Sequence, residues 1–163
     1  MHLSLSPSDF SDWPALLRLL REAFAFMEGR IDPPSSLDHM TAADLQAKAG
    51  QETLILAREG ELLLGCAFAA QRADCLYVGK VAVAAAARRR GVARALFDAA
   101  ETLARQQGRA WLELQTRVEL LENHATFAAL GFHKVAETAH PGYDRPTSIT
   151  LRKPVAPHPP EAS

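Results

Sequence analysis

Apolar residues recur at helical spacing in four segments of the chain. The first follows a polar cap and a proline at 11–14, and it is predicted to end at Gly29. A second helix is predicted to begin near Thr41, because Asp44 follows it at the spacing of a capping box. Two further helices are predicted over 92–107 and 119–130, and each is followed by a glycine.

The segments between these helices contain apolar and β-branched runs that predict strands. Glu59 and Gly60 interrupt one long run, which indicates a hairpin turn. Residues 30–36 include adjacent prolines and are predicted to form a loop. The predicted strands cover 2–5, 52–58, 61–71, 74–83, 111–116, 132–137 and 148–151.

The alanines at 84–87 allow two interpretations. Alanine is the best helix former, so the following helix could begin there and continue through Gly91. The alternative is a strand that ends at Val83, followed by a tight turn. We prefer the turn, although the residues alone permit either structure.

The composition is typical of one soluble globular domain. The chain has 163 residues, 48% of them apolar and 23% charged, and its net charge of −1 gives no overall attraction to nucleic acid or membranes. No signal peptide is evident, and no apolar run approaches the roughly 20 residues that span a bilayer. Cys66 and Cys75 are expected to be buried thiols. We expect a cytoplasmic protein with one domain over 1–153 and a disordered tail over 154–163.

The segment 81–94 has the pattern of a phosphate-binding turn. A strand leads through Gly91 into an amphipathic helix, whose first N–H groups and dipole attract an anion. Gly91 lets a phosphate approach the backbone, and Ala93 keeps the next turn uncrowded. The arginines around this turn are Arg88, Arg89, Arg90 and Arg94. The predicted ligand is therefore a phosphate ester.

The spacing Arg88-x-x-Gly91-x-Ala93 after a strand resembles the Q/R-x-x-G-x-G/A motif of the GNAT superfamily of acyl-CoA N-acyltransferases. The run 111–116 lies where that family has its fifth strand, and 127–132 resembles its Y-x-x-x-G-F segment. The resemblance covers about residues 1–152. It implies an α/β (α+β) fold with a mixed, mostly antiparallel sheet of six or seven strands and helices on both faces.

The resemblance also implies acetyl-CoA as cosubstrate, with no metal and no separate prosthetic group. The fourth strand would pair with the pantetheine arm, and the turn would hold the pyrophosphate. The family often dimerises, so a homodimer is possible. The residues implied in cofactor binding are Val81, Ala82, Val83, Arg88, Arg89, Arg90, Gly91, Val92, Ala93, Arg94, Asn123 and Phe127.

Two positions depart from the family pattern. Ala84 stands where the family often has proline, and Phe127 replaces the tyrosine that often protonates the departing thiolate. Tyr143 is the preferred replacement acid, because in this family the loop before the last strand overhangs the cleft, whereas Tyr77 is expected to be packed in its strand. The alternative is that water and backbone dipoles suffice for the departure of the thiolate. Glu113 and His124 are candidate bases, although strand periodicity leaves the direction of Glu113 open and His124 fits an ordinary surface position as well.

The loop at 28–36 occupies the region where the family builds its acceptor pocket. Glu28 and Asp32 would suit a cationic amine, whereas Arg30 would suit a substrate carboxylate. An ordinary solvated loop explains the same residues equally well.

The sequence does not contain the signals of several other classes of function. The arginine cluster has few aromatic neighbours, which disfavours nucleic-acid binding, and neither a P-loop motif nor a zinc-binding histidine pair is present. The predicted function is transfer of an acetyl group from acetyl-CoA to a primary amine of a small molecule or peptide, by direct attack in a ternary complex. The alternative is a non-catalytic domain that binds or senses acyl-CoA.

Overall fold

A computed structural model describes residues 1–157 and contains a seven-stranded sheet. The strand order is β1-β2-β3-β4-β5-β7-β6, and every neighbouring pair is antiparallel except β4 and β5. The predicted mixed, mostly antiparallel sheet is confirmed. The strands are β1 His2–Leu5, β2 Thr53–Glu59, β3 Leu62–Gln71, β4 Cys75–Val83, β5 Trp111–Arg117, β6 His133–Thr138 and β7 Ser148–Pro154.

Four α-helices accompany the sheet, as the apolar spacing predicts. The first two begin at side-chain caps: the carboxylate of Asp12 accepts a hydrogen bond from Ala15, and Thr41 and Asp44 form the predicted capping box. The helices are α1 Trp13–Phe24, α2 Ala42–Gln51, α3 Val92–Gln106 and α4 Leu121–Ala129. None of the helices within residues 1–157 is long and apolar enough to cross a membrane.

The alanine run forms a turn, so the preferred interpretation is confirmed. β4 ends at Val83, and one 3₁₀ turn at Ala85–Ala87 precedes α3. Gly91 has a φ of 79°, in the left-handed region, which stops any helix from continuing through it. Ala87 is 1% exposed, so burial of this turn overrides the helix propensity of alanine.

The helices cover both faces of the sheet and enclose two apolar clusters. We call the face covered by α3 and α4 the α3 face and the opposite one, covered by α1 and α2, the α1 face. Leu96 of α3 packs with Leu76 and Val78 of β4, whereas Leu16 of α1 packs with Phe68 of β3. Burial of each such side chain contributes about 1.5–3 kcal/mol.

Gly65 of β3 fixes the start of α3 close to the sheet. A Cβ atom at this position would lie 2.8 Å from the carbonyl oxygen of Ala82 and 2.8 Å from Cγ1 of Val92. Only glycine permits so close an approach. The turn before α3 is therefore held rigidly against β3 and β4.

The end of the described chain is bound to the domain. β7 extends to Pro154, the N–H of Val155 donates to the carbonyl of Ala110 at 2.9 Å, and that of Ala156 donates to Glu101. Ordered structure thus continues past the predicted domain boundary at 153, and residues 158–163 of the predicted tail lie outside the described residues.

Both cysteines are free and buried, as predicted. Burial raises the pKa of the Cys66 thiol to about 12. Cys66 therefore stays protonated at neutral pH and packs as a small apolar side chain.

Candidate active site

The sheet opens between its two parallel strands. β4 and β5 pair only at Cys75–Trp111, Leu76–Leu112 and Tyr77–Glu113, and they diverge beyond these pairs. A cleft of about 770 Å³ begins there and is lined by both strands and by residues from both sides of the sheet. This volume is within the range of small-molecule sites.

A bulge in β4 lies along this cleft. Gly79 is opposite Phe68 and Ala82 is opposite Cys66, so β4 carries one more residue than β3 between these pairs. The bulge reverses the side-chain alternation: Leu76 precedes it and Val81 follows it, yet both pack on the α3 face. Lys80, which has a φ of 49°, is the residue at which this change occurs.

The predicted anion-binding turn lies at the α3 face of the cleft. Arg89 and Gly91 have φ values of 64° and 79°, and α3 begins directly after them. Successive N–H groups in such a turn, together with the helix dipole, form a concave site for an anion. Arg88, Arg89 and Ala93 line the cleft, and nothing lies within 4 Å of the Cβ position at Gly91. Space for a bulky phosphate is therefore present.

Four of the predicted turn residues are absent from the cleft lining. Arg90 forms an ion pair with Glu59 at 2.8 Å, which holds the pKa of that carboxyl below its usual value. The side chain of Val92 is 1% exposed and belongs to the core, so only its backbone is available. Arg94 and Gly91 are absent from the cleft lining, whereas Val81, Ala82 and Val83 of β4 are part of it.

Helix α4 forms a second wall of the cleft. Asn123 and Phe127 both line it, as the resemblance implies. The ring of Phe127 makes edge-to-face contacts with Phe97 at 6.0 Å and with Phe132 at 6.2 Å between centroids. The residue at the position of the family's tyrosine thus packs in an aromatic cluster and supplies no hydroxyl.

Tyr143, the predicted acid, lies outside the cleft lining. Its hydroxyl donates to Asp32 at 2.6 Å, and this hydrogen bond raises the pKa of Tyr143. Arg145 binds the other oxygen of Asp32 at 3.2 Å. The proton of Tyr143 is therefore directed at a carboxylate, away from the cleft.

The predicted acceptor residues are also absent from the lining. Arg30 pairs with Glu122 at 2.6 Å, and the backbone of Asp32 donates to Glu119, so their loop is docked on the start of α4. Glu28 ends the 3₁₀ turn after α1 and does not line the cleft either. The cleft is lined instead by residues close to them in the sequence, namely Phe26, Met27, Ile31 and Ser35.

The two predicted bases have other partners. Glu113 is on the α1 face, and its two oxygens accept from Arg72 at 3.1 Å and from Arg152 at 2.9 Å. His124 forms a hydrogen bond between Nε2 and the backbone carbonyl of Arg117 at 3.0 Å. Neither side chain lines the cleft.

Four ionisable side chains that the sequence analysis did not select line the cleft instead: Tyr77, Lys80, Arg117 and His140. Tyr77 lies at the last β4–β5 pair, and its ring faces the guanidinium of Arg72 at 3.9 Å. Burial raises the pKa of Tyr77. The strand pattern contained no signal for Tyr77 or Lys80, because a bulge cannot be located from alternation alone.

His140 is a neutral imidazole at the α1 side of the cleft. Burial and then the nearby Arg117 lower the pKa of His140 from 6.5. Its Nδ1 and its backbone N–H both bond the hydroxyl of Thr147, which can in turn donate to the carbonyl of Thr138. In that arrangement Nδ1 carries the proton, and Nε2 keeps a lone pair.

The comparisons with known proteins agree with this geometry. The model of the acetyltransferase (GNAT) family matches residues 13–132, and the chain belongs to that family. It is thus an acyl-CoA N-acyltransferase, and acyl-CoA is its cosubstrate. No protein with a curated description matches the sequence. Within residues 1–157, no group of three or more acidic, histidine or cysteine side chains is placed to hold a metal ion.

Solved structures share the fold at low sequence identity. The ribosomal-protein-S18-alanine N-acetyltransferase from Escherichia coli is 17% identical with a TM-score of 0.69, covering 99% of each chain. The PaiA N-acetyltransferase from Thermoplasma acidophilum, solved with coenzyme A, is 13% identical with a TM-score of 0.75, covering 94% of this chain and 99% of that one. An aminoglycoside 6'-acetyltransferase type Ii is 18% identical with a TM-score of 0.74, covering 98% and 100%.

Proposed function

We propose that this enzyme transfers an acetyl group from acetyl-CoA to a primary amine, by direct attack within a ternary complex. The observation that carries the proposal is a cleft that passes between β4 and β5. Its lining includes Arg88 and Arg89 of the turn on the α3 face and Lys80, Arg117 and His140 on the α1 face. Two substrates that enter from opposite faces can meet at the divergence of the strands, where proximity supplies much of the acceleration.

The donor would occupy the α3 face. The backbone N–H groups of the turn, together with Arg88 and Arg89, are available to the pyrophosphate, and Phe127 offers apolar contact on the opposite wall. The pantetheine arm would follow Val81 and Val83. In a bulge the ladder of hydrogen bonds is interrupted, so β4 can offer a backbone N–H to the thioester carbonyl.

The acceptor amine would attack from the α1 face. Its lone pair forms the new N–C bond, the C–S bond breaks, and the amine must lose a proton. We propose His140 as the group that accepts this proton. It lines the cleft, its lowered pKa keeps it neutral near pH 7, and Thr147 orients its ring. Glu113 and His124 are less suitable, since neither lines the cleft and both oxygens of Glu113 already accept from arginines.

The departing thiolate would take a proton from Tyr77. This hydroxyl belongs to a cleft-lining side chain at the divergence of the strands, whereas Tyr143 donates to Asp32. A thiol titrates near 8.5, so an assisting acid needs to lower the barrier only moderately. The alternative function, a domain that binds acyl-CoA without catalysis, rests on a single observation, the loss of the family's tyrosine at Phe127.

Turnover by the purified full chain separates these two functions. The release of free thiol from acetyl-CoA would be followed with a panel of amines that covers amino acids, polyamines and a peptide N-terminus. We expect amine-dependent thiol release and a product whose mass is increased by one acetyl group. Tight binding of acetyl-CoA by calorimetry without turnover of any amine would support the non-catalytic alternative.

A further inference from the structure

The α1 face of the cleft carries positive charge without any matching acid. The cations Lys80 and Arg117 line it together with the neutral His140, and no aspartate or glutamate from the described part of the chain does so. Arg88 and Arg89, the other cations of the lining, belong to the turn on the α3 face. The phosphates of a donor would be bound there, so they do not account for Lys80 and Arg117.

The acidic groups near this face lie outside the cleft lining and bind neighbouring segments. Glu119 accepts from the backbone N–H of Asp32 at 3.0 Å. Asp32 accepts from Tyr143 and Arg145, and Glu122 pairs with Arg30. These carboxylates therefore hold the surrounding loops together. Lys80 and Arg117 would repel a polyamine or an aminoglycoside, and no carboxylate of the described lining would balance its charge, so its binding would be unfavourable.

Among the described residues, Lys80 and Arg117 donate only to neutral acceptors. Lys80 donates to the hydroxyl of Ser36 at 3.3 Å, and Arg117 donates to the carbonyls of Pro33 at 2.7 Å and Pro34 at 3.3 Å. All of these acceptors are neutral. Burial is the largest influence on both groups and lowers the pKa of each, and the attraction of Glu52 for Lys80 and of Glu119 and Asp32 for Arg117 offsets this lowering only in part. An anionic ligand would offset this cost.

The remainder of the α1 side of the cleft is apolar. Its wall comes from the end of α1, the 3₁₀ turn after it and the following loop. The large apolar side chain of Phe26 is 42% exposed, and together with its apolar neighbours it offers a surface for an apolar group of a ligand. The lining side chains of this wall are Ala23, Phe24, Phe26, Met27, Ile31 and Leu37.

We propose that the acceptor is an α-amino acid with an apolar side chain. Its carboxylate binds Lys80 and Arg117, its side chain packs against the wall around Phe26, and its amine faces the thioester. This assignment rests on the proposed acetyl transfer and specifies its substrate class. The same cations also lower the pKa of the bound amine, which increases its neutral, nucleophilic fraction.

Matched ligands test the assignment on the wild-type protein without relying on turnover. Calorimetry on the protein loaded with coenzyme A would compare 3-phenylpropanoate with phenethylamine, which differ in the charged group on the same apolar frame. We expect the carboxylate to bind at least about tenfold more tightly, the value of one charge-assisted hydrogen bond. Equal binding, or tighter binding of phenethylamine, would overturn the proposal.

A substitution locates the effect. Lys80→Met should reduce the affinity for 3-phenylpropanoate about tenfold and raise the KM for phenylalanine more than that for phenylalaninamide. Lys134→Met, the same change on the exposed strand β6, is the matched control and should alter neither value. If Lys80→Met and Arg117→Met both retain wild-type discrimination between phenylalanine and its amide, the carboxylate site is wrong.

Two different results would contradict the amino-acid assignment and the proposed acetyl transfer. If spermidine is acetylated faster than phenylalanine, acetyl transfer stands and the amino-acid assignment is contradicted. If coenzyme A itself does not bind, the proposed function fails, and binding of 3-phenylpropanoate to the unloaded protein still reports on Lys80 and Arg117.

Discussion

The two faces of the cleft are built by different means. On the α3 face, the turn at 88–94 presents backbone N–H groups and adjacent arginines that come from a few consecutive residues. On the α1 face, the lining side chains come from β4, from β5 and from the loop between β6 and β7, and they meet only in the folded chain: Tyr77, Lys80, Arg117 and His140. A site made by local backbone is specified by glycine and turn geometry, whereas a site made by distant side chains depends on strand register.

This difference predicts which substitutions affect which substrate. Changes in the turn should affect the donor, and changes on the α1 face should affect the acceptor or the proton transfers. A substitution that affected both substrates equally would indicate that the two faces do not act separately.

The largest effect is expected for His140→Gln, which should reduce kcat about a thousandfold near pH 7 by removing the base. The neutral base exists above the pKa of His140, which is lowered from 6.5. In the wild type, kcat/KM should therefore fall as the pH decreases through that lowered pKa. The variant should lose this limb of the pH profile, and a profile that kept it would assign the base to another group.

A hundredfold effect, in order of magnitude, is expected for Tyr77→Phe, which removes only the hydroxyl proposed to protonate the thiolate. Tyr143→Phe is the matched control, and its kcat should stay within about threefold of the wild type because Tyr143 lies outside the cleft lining. The reverse order of effects in steady-state assays would restore Tyr143 as the acid.

Gly65→Ala should destabilise the fold by about 1–3 kcal/mol, because the new methyl group would overlap with Ala82 and Val92. Gly50→Ala in α2 is the control, since nothing lies within 4 Å of its Cβ position. That variant should be equally or more stable than the wild type. Denaturant unfolding would compare the two variants with the wild type. If all midpoints were equal, α3 would approach β3 less closely than the distances at Gly65 indicate.

The smallest effect is expected for Asp32→Asn. The ion pair with Arg145 is exposed and Asp32 does not line the cleft, so stability should change by less than about 1 kcal/mol. The KM for the acceptor should change less than about twofold. A tenfold rise in that KM with an unchanged KM for acetyl-CoA would identify Asp32 as a ligand of the amine.

The turn on the α3 face was easier to predict from the sequence than the lining of the α1 face, for a physical reason. The turn, Gly91 and the helix after it form a local pattern, and the predicted strands and caps likewise depend on neighbouring residues. The preference for a turn at 84–87 was also correct, because the left-handed Gly91 cannot continue a helix.

The α1 face depends on contacts that no local pattern encodes. The bulge at Lys80 reverses the side-chain alternation, so periodicity could not place Lys80 or Tyr77 in the cleft. Asp32 looked available to an amine, yet Tyr143 and Arg145, over a hundred positions away, bind it. Glu113 similarly pairs with Arg72 and Arg152 from distant parts of the chain.

Binding of coenzyme A to Gly91→Glu is the sharpest test of whether the donor binds at the turn before α3. The new carboxylate would stand at the anion-binding turn, where it repels the pyrophosphate and fills the space above the backbone. Gly108→Glu is the control, because Gly108 also has a positive φ and open space but follows the other end of α3. Calorimetry should show coenzyme A binding weakened well over tenfold in Gly91→Glu and unchanged in Gly108→Glu, with both variants folded. Wild-type affinity in Gly91→Glu would contradict the placement of the donor at this turn.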